Sequence, residues 1–108
     1  MTWEECRDLA ARGHRIGCHG RTHVRLSDDL PPERLFDEIT AAELDMAGRL
    51  GAPVEDFCWV GGEEWSYGRA AFDEIRRAGY RRAFMTNLWP VRPGSSPTWI
   101  QRTNVEAD

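Results

Sequence analysis

The stretch Val54-Glu55-Asp56-Phe57-Cys58-Trp59-Val60-Gly61-Gly62 decides the fold. Val54, Phe57, Cys58, Trp59 and Val60 make it almost continuously apolar, which is the signature of a strand covered on both faces, as in a parallel sheet. The paired glycines then break it. Upstream, Pro31-Pro32 opens a long helix whose buried stripe is Leu35, Ile39, Ala42, Met46 and Leu50, and Gly51 closes it. Downstream, Ser66 to Ala78 reads as a helix with Ala71, Phe72, Ile75 and Ala78 inward, stopped by Gly79. Tyr80 to Thr86 reads as the next strand, a Pro/Gly/Ser-rich loop covers Asn87 to Pro97, and Thr98 to Val105 reads as the last strand. At the other end, Thr2 and Glu5 form a capping box, with Trp3, Cys6, Leu9 and Ala10 on one face and Gly13 in the helix-ending position. His14 to His19 then reads as the first strand, followed by a polar turn from Gly20 to Asp29. Helices and strands alternate, so the expected class is parallel α/β, in one domain over residues 1–108. Ligands in such folds sit at the carboxyl ends of strands, here at His19, Gly61-Gly62 and Asn87.

Composition narrows the function. Hydrophobic residues make up 41% and charged residues 30%, the balance of a soluble globular chain. The net charge is −4 and all 14 basic residues are scattered arginines, so no basic face for nucleic acid is expected. No apolar run approaches the ~20 residues of a membrane-spanning helix, and the acidic start Met1-Thr2-Trp3-Glu4-Glu5 does not read as a secretory signal. Cys6, Cys18 and Cys58 are odd in number and widely spaced, which argues against a disulfide framework and for a reducing, cytoplasmic location.

His19-Gly20-Arg21-Thr22-His23 places two imidazoles four residues apart, directly after a strand. If the intervening residues curl into one helical turn, both rings face the same point. Neutral imidazole is a good ligand for Zn²⁺ and other borderline divalent metals, although a hydrolytic site needs about three protein ligands and an open position. H-x-x-x-H alone is a weak signal, because surface and capping histidines fit the same spacing. His14 opens the strand instead and reads as structural.

The segment from Arg12 to Ser27, Arg-Gly-His-Arg-Ile-Gly-Cys-His-Gly-Arg-Thr-His-Val-Arg-Leu-Ser, resembles the second motif of the polysaccharide deacetylases, the NodB-homology domain of carbohydrate esterase family four. There a GH-x-IG-x-H stretch leads into H-[ST]-x-x-H, with Leu-Ser shortly after. The likeness continues in Leu50-Gly51-Ala52-Pro53-Val54, Phe57 to Gly62, Arg77-Ala78-Gly79-Tyr80 and Arg102-Thr103-Asn104-Val105. The resemblance implies a (β/α) barrel of mostly parallel strands, here partial, and a divalent metal, most often zinc, held by two His and one Asp. It implies hydrolysis of N- or O-acetyl groups on an acetylated carbohydrate. Water activated by the metal attacks the acetyl carbonyl, an Asp takes its proton, and a backbone N–H helps hold the oxyanion. His19 and His23 match the metal histidines.

Departures from the family pattern set the remaining expectations. The T-F-D-D-G strand that carries the base and the Asp ligand does not precede the histidines, so no catalytic residue is assigned. Where the family has R-x-P-Y-G or Y-P-Y-G, this chain has Cys58-Trp59-Val60-Gly61-Gly62. The Gly61 N–H still suits an oxyanion donor, which needs only backbone. The C-terminal leucine-and-histidine motif does not occur before Asp108, and a full barrel takes ~200 residues or more. The chain therefore reads as a fragment, weak or inactive alone. Its alternative is a non-catalytic carbohydrate-binding or scaffold remnant that a partner chain completes. The missing strand would leave an open sheet edge beside His14 to Cys18, through which chains can self-associate. Trp65, in the loop after the double glycine, is the candidate for stacking on sugar, with Trp89 beside it. Glu63, Glu64 and Cys58 are weighed as substitute ligands against solvated or buried inert roles. Asp28-Asp29 reads as turn and capping carboxylates.

Overall fold

The computed structural model describes residues 1–103. The end of the last expected strand and the Asn104-Val105 part of the family likeness lie outside the described residues. The chain runs through α1 (Trp3–Ala11), α2 (Pro32–Phe36), a π-helical turn (Asp37–Ala41), α3 (Ala42–Leu50), β1 (Asp56–Cys58), a 3₁₀ turn (Glu64–Ser66), α4 (Arg69–Arg77), β2 (Arg82–Met85) and β3 (Ile100–Gln101).

The sheet is parallel throughout, in the order β1-β2-β3. Asp56 pairs with Arg82, Cys58 with Phe84 and Phe84 with Ile100. The alternation of helix and strand therefore gives the parallel α/β architecture expected. The first expected strand, His14 to His19, is reduced to one parallel bridge between Cys18 and Phe57, closed by Cys18 N–H to Asp56 O and Cys58 N–H to Cys18 O, each 2.8 Å. Gly17 explains part of the shortening, since it brings no side chain to pack and lies against the Asp56 backbone.

Alternation along the strands sorts side chains between two faces. Cys18, Phe57, Ala83 and Met85 are fully buried on the face that the helices cover, together with Leu35, Ile39 and Ile75. Tyr80 closes this core, and its hydroxyl donates to the Ile39 carbonyl at 2.9 Å. The opposite face carries Asp56, Cys58, Arg82 and Phe84, all half-buried, along a groove of about 450 Å³. The expectation that the Val54–Val60 strand is covered on both faces thus holds for one face only among the described residues. Arg82 is half-buried and pairs with Asp56 and Glu55.

Helix boundaries follow local chemistry. The Thr2/Glu5 capping box forms as expected, with Glu5 N–H to Thr2 Oγ1 at 3.2 Å. No residue of α1 is buried, however. Its expected apolar face only leans on α3, with the Arg49 guanidinium 5.1 Å from the centre of the Trp3 ring. The Leu35–Leu50 stripe forms as expected, but the helix contains the π-turn at Asp37–Ala41. The helix expected from Ser66 begins at Arg69, because Tyr67 and Gly68 are extended. Asp28 Oδ1 accepts the Arg69 N–H at 3.1 Å, a capping bond reaching across the chain that satisfies one orphan donor of α4. Among the described residues no helix is long and apolar enough to cross a membrane, and the three cysteines are free.

Candidate metal centre

His19 directly follows the Cys18 bridge, where the loops after the strands meet. Its Nδ1 lies 2.7 Å from the Cys58 carbonyl oxygen. A carbonyl can only accept, so Nδ1 carries the proton and donates. In the neutral ring this leaves the lone pair on Nε2, as a metal ligand requires; a backbone carbonyl on the other nitrogen is the usual device that fixes the tautomer. Cys58 thus contributes its carbonyl to the histidine, while burial pushes its thiol pKa up and Arg102 only partly offsets this. A raised thiol pKa disfavours the thiolate that a metal would need.

His23 stands beside His19 with ring centroids 5.0 Å apart and planes at 66°. Nitrogen–zinc bonds of about 2.0–2.1 Å at a tetrahedral angle put two ligating imidazole centroids roughly 5 Å apart, so the observed separation fits one shared cation. His23 has φ +62, in the left-handed region that non-glycine residues seldom adopt. Strain of this kind persists where surrounding structure enforces it, and it concentrates at functional sites. The expected helical turn does not form: Arg21 and Thr22 make a bend, and the left-handed His23 brings its ring beside that of His19 instead. Among the described residues no third His, Cys, Asp or Glu joins them; the two imidazoles could serve as two of the ligands of a divalent cation.

The neighbouring loop is built on the double glycine. Gly61 O accepts the Thr86 hydroxyl, Thr86 N–H donates to Gly62 O at 2.9 Å, and Glu64 N–H donates to Asn87 Oδ1 at 2.6 Å. Gly62 has φ +78, and a Cβ there would sit 3.3 Å from both Met85 Cα and Thr86 N. Gly62→Ala is therefore expected to destabilise the chain by about 1–3 kcal/mol, from a left-handed backbone and a contact with main chain that cannot swing aside. Chemical denaturation of the two proteins side by side checks it.

Glu63 is committed locally. Its own backbone N–H and the Ser66 hydroxyl hold its carboxyl below the ordinary carboxylate range, against a small opposing effect of burial and with help from Arg25. Ser66 Oγ lies 3.0 Å from it and Arg25 3.8 Å. Glu64 is exposed. Neither belongs to a three-donor group with the histidines. Trp65 is 75% exposed, with the Arg25 guanidinium 5.3 Å from its ring centre. Asp28 serves as the cap described above.

One side chain in this region was not singled out from sequence. Glu38 is fully buried. Burial alone would raise its carboxyl pKa, but hydrogen bonds from the Thr22 hydroxyl and from the Thr22 and Arg21 N–H groups, with Arg34 beside it, more than reverse this, and it lies below the ordinary range. The available signal was its place on the helical stripe, three residues after Leu35 and four before Ala42.

The polysaccharide deacetylase family model matches residues 1–83. The chain belongs to the polysaccharide deacetylase family. Its fold is that of solved deacetylase structures. The Streptococcus pyogenes deacetylase PplD, in complex with acetate, superposes with a TM-score of 0.86 at 14% identity, over 97% of this chain and 45% of that one. The de-N-acetylase from Aggregatibacter actinomycetemcomitans gives 0.75 at 16% identity, over 95% and 47%. The BpsB deacetylase domain from Bordetella bronchiseptica gives 0.76 at 17% identity, over 95% and 48%. This member of the family thus spans less than half the length of each of those chains. No curated protein matches it.

Proposed function

We propose that these 108 residues are the histidine-bearing part of a metal-dependent deacetylase acting on an acetylated carbohydrate. The observation that supports this reading above others is the His19/His23 pair, at ligating separation and with the His19 tautomer set by Cys58 O. His19 Nε2 and a ring nitrogen of His23 would hold a divalent cation, zinc by the chemistry of the donors. When bound, that cation supplies a Lewis acid for the acetyl carbonyl.

The chain's own residues supply orientation. Cys58 O keeps the His19 ring in place. The Gly61 N–H offers a donor for the carbonyl oxygen as charge builds on it. Trp65 offers an exposed aromatic face for a sugar ring. The third ligand and the general base of such a reaction would come from outside the described residues.

Two measurements test this reading. With zinc present, titration of an N-acetylated oligosaccharide is expected to shift the Trp65 indole and Gly61 amide signals in NMR spectra; no shift at either would contradict the assignment. Acetate release by the same mixture is expected to be undetectable or very slow, because among the described residues no base joins the histidines. Robust turnover would contradict that expectation and make Glu63→Gln and Glu64→Gln the next variants to measure.

A further inference from the structure

Arg21 and Thr22 lie between the two imidazoles, and one buried side chain anchors both. Glu38 Oε2 accepts the N–H of Arg21 and the N–H of Thr22, each at 2.8 Å. Oε1 accepts the Thr22 hydroxyl and pairs with the Arg34 guanidinium at 3.1 Å. Successive backbone N–H groups converging on one anion form a nest, and charged acceptors make the stronger hydrogen bonds. The approach is close enough to need glycine next door: Gly20 has φ +78, and a Cβ there would lie 3.3 Å from Oε2. Glu38 projects from the π-helical turn Asp37–Ala41, and such turns recur at functional sites. Both of its oxygens are committed to donors, so it is not itself the third ligand.

We propose that Glu38 is a positioning residue for the metal centre, holding the Gly20–Thr22 loop so that His19 and His23 stand at ligating distance before a cation arrives. The inference rests on the metal reading above and adds to it the side chain on which the geometry depends. A carboxylate accepts all the donors that converge here; an amide of the same shape carries no charge, and its NH2 group, in place of one oxygen, cannot accept from Arg34 or from the Thr22 hydroxyl. Glu38→Gln therefore leaves the helix packed while weakening the hold on the loop.

The test is zinc titration calorimetry on the whole chain, read beside amide exchange at Arg21 and Thr22 in the metal-free protein. Glu74→Gln is the comparator. Glu74 is also a buried, hydrogen-bonded carboxylate, held by Thr40 and Arg77, but it does not bond the histidine loop. Glu38→Gln is expected to weaken zinc by about 10–100-fold, the usual effect of removing an outer-shell partner, and to speed exchange at both amides. Glu74→Gln should leave both unchanged. Unaltered zinc affinity in a folded Glu38→Gln, or an equal loss in Glu74→Gln, overturns the inference.

Should Glu38→Gln not fold, Thr22→Val and Thr22→Ser replace it. The valine is expected to lose zinc affinity and the serine, which keeps the hydroxyl, to restore it; equal affinity in the two overturns the inference. If the wild-type chain binds no zinc, the metal reading fails by itself, and exchange alone then judges the anchor. Faster exchange at Arg21 and Thr22 in Glu38→Gln only would then sustain Glu38 as the anchor of this loop but not of a metal centre, and unchanged exchange would overturn the anchor too.

Discussion

Replacing both imidazoles, in His19→Ala/His23→Ala, is expected to abolish zinc binding while leaving the chain folded. Both residues are exposed; an ordinary exposed substitution changes stability by less than about 0.5 kcal/mol, and the left-handed backbone at His23 adds a cost that the unfolding curves read. The one structural bond lost is His19 Nδ1–H to Cys58 O, and a single hydrogen bond of that kind is worth about 1 kcal/mol. Loss of binding therefore reports the site and not the fold. Each single variant should retain one imidazole and lose most of the affinity, because one nitrogen donor does not hold a divalent cation against water. Calorimetry on wild type, both single variants and the double variant, with unfolding curves alongside, separates the two effects. Unchanged affinity in the double variant would contradict the assignment.

The largest effect on stability is expected at Trp59. This residue is fully buried and sits among Tyr67, Phe57 and Phe72, with ring centroids 5.1, 6.1 and 6.2 Å away. Trp59→Ala should cost about 3–5 kcal/mol, from lost burial and the cavity left behind. Small domains have total stabilities of roughly 5–15 kcal/mol, so the loss removes a large share of what holds the chain folded. Trp59→Phe is expected to cost far less. The indole Nε1–H is buried with no hydrogen-bond partner among the described residues, and removing an unpaired buried donor recovers part of the lost burial energy. Denaturant midpoints for the three proteins give the comparison. A phenylalanine as damaging as the alanine would show that the N–H has a partner, such as an ordered water.

How much of this was legible in the sequence depended on whether the signal was local. The Thr2/Glu5 capping box, the Leu35–Leu50 stripe closed by Gly51, and the apolar run into Gly61-Gly62 all appear as expected, because each is written within a few residues. The length of the first strand was not legible. His14 to His19 alternates well enough, but a strand needs neighbours, and only Cys18 finds one among the described residues. The open face of β1 was hidden for a related reason: Cys58 looks like any apolar strand residue, and whether a layer covers it is a property of the rest of the fold.

The site divides in the same way. The histidine spacing was visible, and so were Gly61 and Trp65 as loop residues after a strand. The features that give the pair its geometry were long-range. Cys58 O reaches His19 from thirty-nine residues away along the chain, and Glu38 reaches Thr22 from sixteen. Neither contact has a sequence motif of its own. Glu38 left only the trace of a carboxylate on an apolar stripe, which reads by default as a helix-surface residue until its donors are seen. The left-handed backbone of His23 is likewise unannounced, since nothing in His-Gly-Arg-Thr-His names a φ of +62.

Anomalous diffraction at the zinc edge, from crystals of the wild-type chain grown with the metal, tests the central claim most directly. A single peak in contact with His19 Nε2 and a ring nitrogen of His23, with His19 Nδ1 still on the Cys58 carbonyl, is the result the geometry predicts. Two rings turned away from one another, with no anomalous density between them, would contradict it.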